Sequence, residues 1–451
     1  MVDWTAVDHA LAGIESDRDR ATCQRLSLDY AHFSPILWPQ LQDRAADRVL
    51  YPRTEADLLA IARVCVQEQI PLTVRGAATG NYGQCTPLQG GILVDLTAFD
   101  QIVWQRGSRL RVQAGAKLAA IDRAIRPSGW ELRWAPSTYR TATIGGFFAG
   151  GSGGIGSITY GQLRDRGNLL GAKVLTLEAE PRFVELQGEA AQAINHAYGC
   201  TGLITELEIP LAPAYDWQEC MVNFPSWSAA LSFAQAIAEA DGLIKKMACV
   251  LADPIPSFCK AIKDACHVGE TAVLLLLSES SQEVAEAIAS DMGGRISWQR
   301  SPQDQPLTTL IEQSWNHTTL HARSTDPAWT YLQMLLPLGQ EAALIDAFQS
   351  RWGDSVLWHL ELLRSHGQVR VAALPLVRFE GRDRLQQLTD ELTAAGAILF
   401  DPHTYCLEDG GMKQIDIQQL TFKEQIDPQG LFNPGKMRAW AEKYGDRSAV
   451  T

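Results

Sequence analysis

The sequence predicts an α+β fold organised as two domains. Its 451 residues exceed the length that a single hydrophobic core ordinarily covers. Residues 142–161 hold eight glycines in twenty positions, a density that disfavours ordering and therefore indicates a specific role for the backbone. From about residue 214 the pattern changes to an alternation of strand-like and helix-like runs, which predicts a second α+β unit.

The first domain is predicted to follow an irregular, helical beginning and to alternate short strands with helices. Thr54 is placed to cap a helix, and Asp57 lies three residues later, as a capping box requires. A second helix is predicted at "KLAAIDRAIRPSG", where proline and glycine end it, and a third near 188–198. Strands are predicted at "IPLTV", "GILVDL", "RLRVQAGA", "WELRW", "AKVLTL", "RFVEL" and "GLITELEIPL".

The second domain shows strand-like runs at "ECMVNF", "IKKMACVL" and "TAVLLLL". Helix-like runs over 227–240, 256–266 and 281–292 alternate with them. The C-terminal tail is predicted to hold a helix and a Pro-Gly turn. The predicted parts of the chain are an N-terminal helical segment, two domains and a C-terminal segment, with the bounds 1–44, 45–213, 214–400 and 401–451.

Composition excludes several classes of protein. A net charge of −13 argues against nucleic acid as a partner, because phosphate binding needs a basic surface. The longest apolar run, residues 271–277, is too short for a transmembrane segment, and the N-terminus lacks the pattern of a secretory signal. Nine scattered cysteines without a C-x-x-C pair predict reduced thiols in a cytoplasmic protein.

The glycine-rich stretch argues against two other interpretations. A flexible linker would be polar, whereas isoleucine, phenylalanine and tyrosine are interspersed here. Gly151, Gly153 and Gly156 spell G-x-G-x-x-G, but no β-branched strand precedes them and no long helix follows. The stretch is therefore predicted to bring the backbone close to a ligand without forming a Rossmann site.

Three segments together resemble the FAD-linked oxidases of the p-cresol methylhydroxylase and vanillyl-alcohol oxidase superfamily. The segments are "PLTVRGAATGNYGQ" (71–84), "APSTYRTATIGGFFAGGSGGIGSITYGQLRD" (135–165) and "DPQGLFNPGKM" (427–437). The resemblance is closest to the glycolate and D-lactate dehydrogenase branch and is weaker across 214–400. It implies a two-subdomain FAD-binding domain over 45–213, an α+β cap (substrate) domain over 214–400, and a C-terminal segment that returns to the FAD-binding domain.

In that family FAD lies between two small subdomains, and backbone N–H groups of two glycine-rich loops contact its pyrophosphate. The resemblance implies a first loop, a second loop, an adenine end and a contact from the tail. The first loop comprises Arg75, Gly76, Ala77, Ala78, Thr79 and Gly80, and the second comprises Ser137, Thr143, Gly145, Gly146, Gly153 and Gly154. The residues near the adenine end are Gly202 and Ile204, and those of the tail are Asn433 and Lys436.

The resemblance is incomplete at the substrate end. The dehydrogenase branch carries H-x-G-D-G-N-x-H and G-E-H-G motifs, in which two histidines and the glutamate bind a metal and the second motif's histidine is the base. His359 and His366 keep the seven-residue separation without G-D-G-N, and His359 also suits a satisfied core histidine. Glu408 stands where the glutamate would be, and Asp409 replaces the histidine. Asp409 is the first choice for the base, and Glu408 is a second catalytic candidate. Alternatively, both are turn residues. Whether a metal is bound is left open.

Other side chains give further expectations. Arg323 is expected to pair with a substrate carboxylate through its planar fork, or else to be an ordinary surface arginine. His317 and His321 have the i, i+4 spacing of helical metal ligands but lack an acidic partner motif. The resemblance implies that FAD is held non-covalently. Relatives with attached flavin often carry a histidine in the first loop or a cysteine in the second, and this sequence has neither. Cys85 is expected to be a small buried residue.

The resemblance implies an FAD-dependent oxidoreductase that acts on CH–OH groups. Hydride transfer to flavin N5 would accompany loss of the hydroxyl proton to a base. The expected partners are a small-molecule substrate, most simply a 2-hydroxy acid such as glycolate or D-lactate, and an electron acceptor: a quinone, an electron-carrier protein or oxygen. The alternatives are a sugar, alditol or phenol oxidase of the same fold, and a non-catalytic FAD-binding electron-transfer subunit of a larger complex.

Overall fold

The computed structural model describes residues 2–151, 153–301, 309–411 and 416–445. Within these ranges, four β-sheets and the helices that pack on them form the fold. This arrangement confirms the α+β prediction.

The first sheet is small and mostly parallel. Its elements are α1 (Trp4–Ala10), β1 (Glu15–Asp17), α2 (Arg20–Ser27), α3 (Trp38–Leu41), β2 (Arg48–Tyr51), α4 (Glu55–Glu68), β3 (Leu72–Arg75) and β4 (Ile92–Asp95). The strand order is β1-β2-β4-β3, with only β1 antiparallel to its neighbour. The N-terminal segment, which was predicted to be helical and irregular, also contains the short strand β1, because backbone pairing with β2 at the sheet edge needs no apolar pattern. The predicted capping box of α4 is present.

The second sheet is antiparallel. Its segment contains β5 (Ile102–Arg106), β6 (Arg109–Gln113), α5 (Leu118–Ile125), β7 (Trp130–Leu132), α6 (Ile144–Gly150), α7 (Ser157–Tyr160), β8 (Gly171–Leu175), β9 (Phe183–Gln187) and β10 (Leu203–Pro213). The order is β5-β6-β10-β8-β9, and β7 pairs with the far end of β10. The helix predicted near 188–198 is a 3-10 helix that ends at Ile194, because His196 and Tyr198 adopt positive φ angles.

We call residues 214–400 the cap domain. Its elements are β11 (Gln218–Phe224), α8 (Trp227–Glu239), β12 (Lys245–Leu251), α9 (Ile255–Phe258), β13 (Thr271–Leu277), α10 (Glu279–Asp291), β14 (Arg295–Arg300), α11 (His317–Thr325), β15 (Trp329–Tyr331), β16 (Met334–Leu335), α12 (Glu341–Trp352), β17 (Val356–Leu357), β18 (His359–Ser365), β19 (Gln368–Ala373), β20 (Leu376–Arg378), α13 (Arg382–Ala394) and β21 (Ile398–Leu399). Eight strands form one sheet in the order β14-β11-β13-β12-β18-β19-β16-β21, and β15-β20-β17 form another.

The helix predicted over 256–266 is wrong for most of its length. Only the single turn of α9 and a 3-10 turn at Lys263–Ala265 are helical there. Ile255, Cys259 and Ile262 are nevertheless almost fully buried. Irregular turns therefore bury the same apolar side chains that had suggested a helix face.

The tail returns to the first sheet. It contains α14 (Ile417–Ile426) and α15 (Arg438–Tyr444). Between them, the Leu72 N–H donates to the Leu431 carbonyl and the Asn433 N–H donates to the Leu72 carbonyl, both at 2.9 Å. The tail thus lies beside β3, whose end begins the first glycine-rich loop. No helix in the described part of the chain is long and apolar enough to cross a membrane.

Candidate functional site

A cavity of about 470 Å³ lies where the two glycine-rich loops face the cap domain. The first loop follows β3, and the second surrounds α6 and reaches α7. Most of the cofactor residues suggested by the resemblance line this cavity. They are Arg75, Gly76, Ala77, Ala78, Thr79, Gly80, Ser137, Thr143, Gly145, Gly146, Gly153, Gly154, Gly202 and Ile204.

The first loop turns its backbone towards the cavity. Ala78 adopts the left-handed conformation, with φ of 51°. Within the described ranges, the N–H groups of residues 77–80 have no acceptor on the protein. Successive free N–H groups around a left-handed residue form a concave nest that favours an anion. The loop therefore fits a bound pyrophosphate.

Glycines of both loops lie where an added side chain would clash with a neighbouring residue. A Cβ on Gly76 would lie 2.1 Å from Thr143 Oγ1, and a Cβ on Gly145 would lie 2.6 Å from the Ala114 Cβ. Real side chains do not approach so closely, so both loops depend on a bare backbone to reach their positions. Together with the nest, this packing shows that the residues present fit the FAD cradle that the sequence suggests.

Asp29 supports the first loop from behind, and the sequence analysis did not identify it. Its buried carboxylate accepts hydrogen bonds from the N–H groups of Ala31, Gly83 and Gln84, at 2.9, 3.2 and 3.0 Å. Burial raises the pKa of Asp29 to about 6, although these bonds and the nearby Lys436 ammonium oppose the increase. The carboxylate therefore fixes the loop's course from the N-terminal segment.

Asn433 and Lys436 hold the same loop from the tail and do not line the cavity. The Asn433 side-chain amide donates to the carbonyls of Gln84 and Tyr198, at 2.8 and 2.6 Å. Lys436 is fully buried and donates to the Gly83 carbonyl at 2.6 Å. Both side chains are therefore engaged with the backbone behind the loop, where the resemblance had suggested direct cofactor contacts.

The cap domain closes the cavity with polar side chains. Glu312, Asn316, His317 and Gln333 line it, and the Tyr82 hydroxyl of the first loop donates to Gln333 Oε1 at 2.7 Å. Burial raises the pKa of Tyr82 to about 12, so the phenol stays neutral. Two buried polar atoms in this wall have no hydrogen-bond partner in the described structure: Trp315 Nε1 and Asn316 Oδ1. Such atoms are suited to hydrogen-bonding a polar ligand.

Two arginines line the cavity among the described residues, and both are in ion pairs. Arg75 Nε lies 3.3 Å from Asp95 Oδ2 inside the first subdomain. Arg140, beside the second loop, holds Glu312 of the cap domain through two hydrogen bonds of 2.8 and 3.2 Å. The Arg140–Glu312 pair therefore links the loops to the cap domain at the cavity wall.

The structure does not bring the predicted catalytic residues to the cavity. Glu408 accepts from the N–H groups of Arg438 and Ala439 at the start of α15, and Asp409 pairs with the Arg438 side chain. Arg323 donates to the backbone carbonyls of Pro327 and Trp329, at 2.9 and 2.7 Å. Each of these groups is engaged in a local structural contact away from the cavity wall.

Cys249, His359 and Glu361 form a buried cluster with ligand atoms close enough for a metal. His359 has the contacts of a satisfied core histidine, since its ring nitrogens lie 3.0 Å from Thr318 Oγ1 and 2.9 Å from Glu361 Oε1. None of the three lines the cavity. His366 lies exposed in the turn after β18, and seven strand residues span roughly 20 Å, so the two histidines cannot bind one ion.

Comparison with known proteins decides the nature of the first domain. Residues 46–182 match the FAD binding domain family. This segment is an FAD-binding domain. Its bounds enclose both glycine-rich loops, so the cavity wall described above belongs to the FAD-binding domain on one side and to the cap domain on the other.

Relatives of the FAD-binding domain are oxidases and dehydrogenases. The chain is 31% identical over 175 residues to glycolate oxidase subunit GlcD of Escherichia coli, covering 37% of this chain and 34% of that protein. It is 31% identical over 164 residues to D-2-hydroxyglutarate dehydrogenase of Escherichia coli, covering 34% and 16%. It is 26% identical over 210 residues to D-lactate dehydrogenase of Archaeoglobus fulgidus, covering 43% and 46%. The chain thus spans less than half the length of each of these relatives.

Solved structures share the fold over nearly the whole chain. An alkyldihydroxyacetonephosphate synthase matches with a TM-score of 0.70 at 14% identity, covering 93% of this chain and 82% of that one. A BBE-like 1 variant from Physcomitrella patens matches with a TM-score of 0.65 at 13% identity, covering 94% and 97%. At such low identity these likenesses show the fold, with the cap domain and tail included.

Proposed function

We propose that this protein is an FAD-dependent oxidoreductase that oxidises a C–OH group of a small substrate. The observation that supports this proposal is one continuous cavity, which begins at the loops of the FAD-binding domain and ends at polar side chains of the cap domain. When bound, FAD supplies the two-electron acceptor that takes the carbon-bound hydrogen as a hydride. The nest at residues 77–80 holds the cofactor, and Asn316 and Gln333 orient the substrate and shield it from water.

We further propose a 2-hydroxy acid as the substrate. The relatives named above act, by their names, on glycolate, D-lactate and D-2-hydroxyglutarate, which are all 2-hydroxy acids. Arg140 is the arginine that lines the cavity beside the cap domain, and its guanidinium already holds one carboxylate, that of Glu312, through two hydrogen bonds. The Nη1 edge of the guanidinium makes neither of these bonds, so a substrate carboxylate can bind there while Glu312 stays paired. Arg140 therefore replaces Arg323 as the proposed carboxylate-binding residue.

The substitution Arg140→Lys is expected to raise KM for the hydroxy acid about tenfold, equivalent to about 1.4 kcal/mol. Lysine keeps the charge but loses the planar fork. Steady-state kinetics with an artificial electron acceptor measure this effect. Arg323→Lys is the matched comparison, because Arg323 does not line the cavity and donates to the backbone carbonyls of Pro327 and Trp329. A rise in KM for Arg323→Lys alone would restore the sequence-based assignment and reject Arg140.

An uncharged sugar or alditol is the second candidate substrate. It is favoured by the ion pairing of both cavity arginines, which leaves neutral groups such as Trp315 and Asn316 to meet the ligand. Anaerobic mixing of the FAD-loaded protein with separate panels of 2-hydroxy acids and alditols distinguishes the candidates. Loss of the yellow flavin colour with hydroxy acids supports our proposal, and loss with alditols alone supports the second candidate. No loss with any panel member contradicts oxidation and favours a non-catalytic FAD-binding subunit.

FAD is expected to be released when the protein unfolds. Cys85, which lines the cavity just beyond the first loop, is buried, and burial raises the pKa of its thiol to about 12, so the nucleophilic thiolate is disfavoured. Non-covalent contacts with the nest and cavity wall disappear on unfolding. Denaturation followed by centrifugation should therefore leave yellow FAD in the supernatant. A washed pellet that stays yellow in denaturant would instead show a covalent bond.

We also propose a cytoplasmic location. All nine cysteines are free in the structure, and seven of them are buried. Free thiols on this scale are typical of a reducing compartment. Fractionation of cells into cytoplasmic and other compartments, followed by detection of the protein in each fraction, tests this proposal. Recovery of the protein outside the cytoplasmic fraction would contradict it.

A further inference from the structure

An imidazole on the cap-domain wall has a defined acceptor nitrogen. His317, the first residue of α11, is partly buried and lines the cavity. Its Nδ1 lies 3.2 Å from the Glu312 carbonyl oxygen. A carbonyl oxygen only accepts, so Nδ1 must carry the hydrogen of this bond. In the neutral imidazole Nε2 is then the nitrogen with a lone pair.

The segment that carries His317 is held firmly. Trp315 has a positive φ of 48°, a strained conformation for an aromatic residue. Its N–H donates to buried Glu361 Oε1 at 2.8 Å, and its carbonyl accepts from Thr318 Oγ1 at 2.9 Å. Glu361 is in turn fixed by His359 at 2.9 Å. This buried cluster therefore has a use: it positions the residues that begin α11 at the cavity.

The other acidic and basic groups at the cavity have different partners. The Glu312 carboxylate binds Arg140 and the Thr309 N–H, and the Asp29 carboxylate binds three backbone N–H groups. His196 belongs to the FAD-binding side, where its Nδ1 lies 3.0 Å from the Gly151 carbonyl. His317 is thus the imidazole that the cap domain contributes to the cavity wall within the described ranges.

We propose that His317 Nε2 is the proton acceptor of the oxidation. This assignment rests on the proposed function. The substrate O–H bond breaks, its electron pair becomes the second bond of the product carbonyl as the carbon-bound hydride leaves to the cofactor, and the proton stays on Nε2. Burial, together with neighbouring His321, lowers the pKa of His317 below 6.5 against the opposing effect of Glu312. The imidazole is therefore in its basic form at neutral pH.

The substitution His317→Asn tests the assignment. The asparagine amide can still donate to the Glu312 carbonyl but has no atom in place of Nε2. The anaerobic rate of flavin reduction should fall about 10²- to 10⁴-fold, the usual contribution of a general base, with FAD content unchanged. The wild-type rate should also fall as the pH drops through the lowered pKa of His317, and this dependence should vanish in the variant. His366→Asn is the matched control, because His366 is exposed and asparagine tolerates its positive φ of 52°.

The outcomes separate the two proposals. If a panel substrate reduces the flavin of the wild-type protein and of His317→Asn equally fast, His317 is not the base and the proposed function stands. A wild-type protein that no panel substrate reduces rejects the proposed function and the base with it.

If His317→Asn does not fold, a measurement on the wild-type protein tests the assignment without turnover. In protein labelled with ¹⁵N-histidine, NMR reports the tautomer of each histidine directly. The His317 signal is identified as the one that disappears in a folded His317 variant such as His317→Gln. We expect a protonated Nδ1 and a bare Nε2 at neutral pH. An Nε2–H tautomer or an imidazolium at neutral pH would overturn the proposal.

Discussion

Gly76→Val is expected to lower the FAD content of the purified protein at least about tenfold, equivalent to about 1.4 kcal/mol of binding free energy. A Cβ at this position would lie 2.1 Å from Thr143 Oγ1, on the facing loop. The Thr143 side chain, whose Cβ and Cγ2 would also lie at 3.1 and 3.2 Å, or the loop that carries it must therefore move. Because the nest at residues 77–80 follows directly, its N–H groups lose their common direction.

The control for this variant is Gly242→Val. Gly242 lies exposed in the cap domain, and a Cβ there meets nothing within 4 Å. FAD is quantified by absorbance after denaturation, and circular dichroism checks that both variants are folded. If Gly76→Val retains a full complement of FAD, the contact between the two loops is not required for binding.

Asp427→Ala is expected to destabilise the tail by about 3–5 kcal/mol, the usual effect of leaving a buried charge without its partner. The Lys423 ammonium donates to Asp427 Oδ2 at 2.6 Å, and both side chains are almost fully buried. Asp427 also accepts from the N–H groups of Leu431 and Phe432, at 2.8 and 2.9 Å. Its loss therefore releases the turn that leads to Asn433 beside the first loop.

Hydrogen exchange and urea unfolding measure this effect. Exchange should accelerate across α14 and the turn after it, and FAD should bind more weakly because Asn433 and Lys436 brace the first loop. Glu424→Gln is the matched control on the same helix, since it changes a partly exposed carboxylate whose partners, Lys443 and Tyr444, lie in α15. Equal, small effects from both substitutions would show that the Lys423–Asp427 pair does not anchor the tail.

Features that depend on local backbone chemistry could be predicted from the sequence. The Thr54 capping box and the two glycine-rich loops are set by residues within a few positions of each other. The strand β1 could not be predicted, because its pairing with β2 is made by backbone groups more than thirty residues away. The polar walls of the cavity were missed for the same reason.

The cap-domain half of the site illustrates this limit. Arg140 and Glu312 meet across 172 positions of the chain, and Asp29 meets Gln84 across 55. A spacing pattern could draw attention to His317 and His321, yet it suggested metal ligands. The carbonyl of Glu312, which lies near a ring nitrogen of each, defines instead which nitrogen carries hydrogen.

The central claim is that the cavity between the glycine-rich loops and the cap domain is the FAD site of an oxidoreductase. A crystal structure of the purified yellow protein tests it most directly. We expect the FAD pyrophosphate against the N–H groups of residues 77–80 and the flavin ring in the part of the cavity that His317 and Asn316 line. Flavin density elsewhere, or a ring separated from the cap-domain wall by the protein chain, would contradict the account.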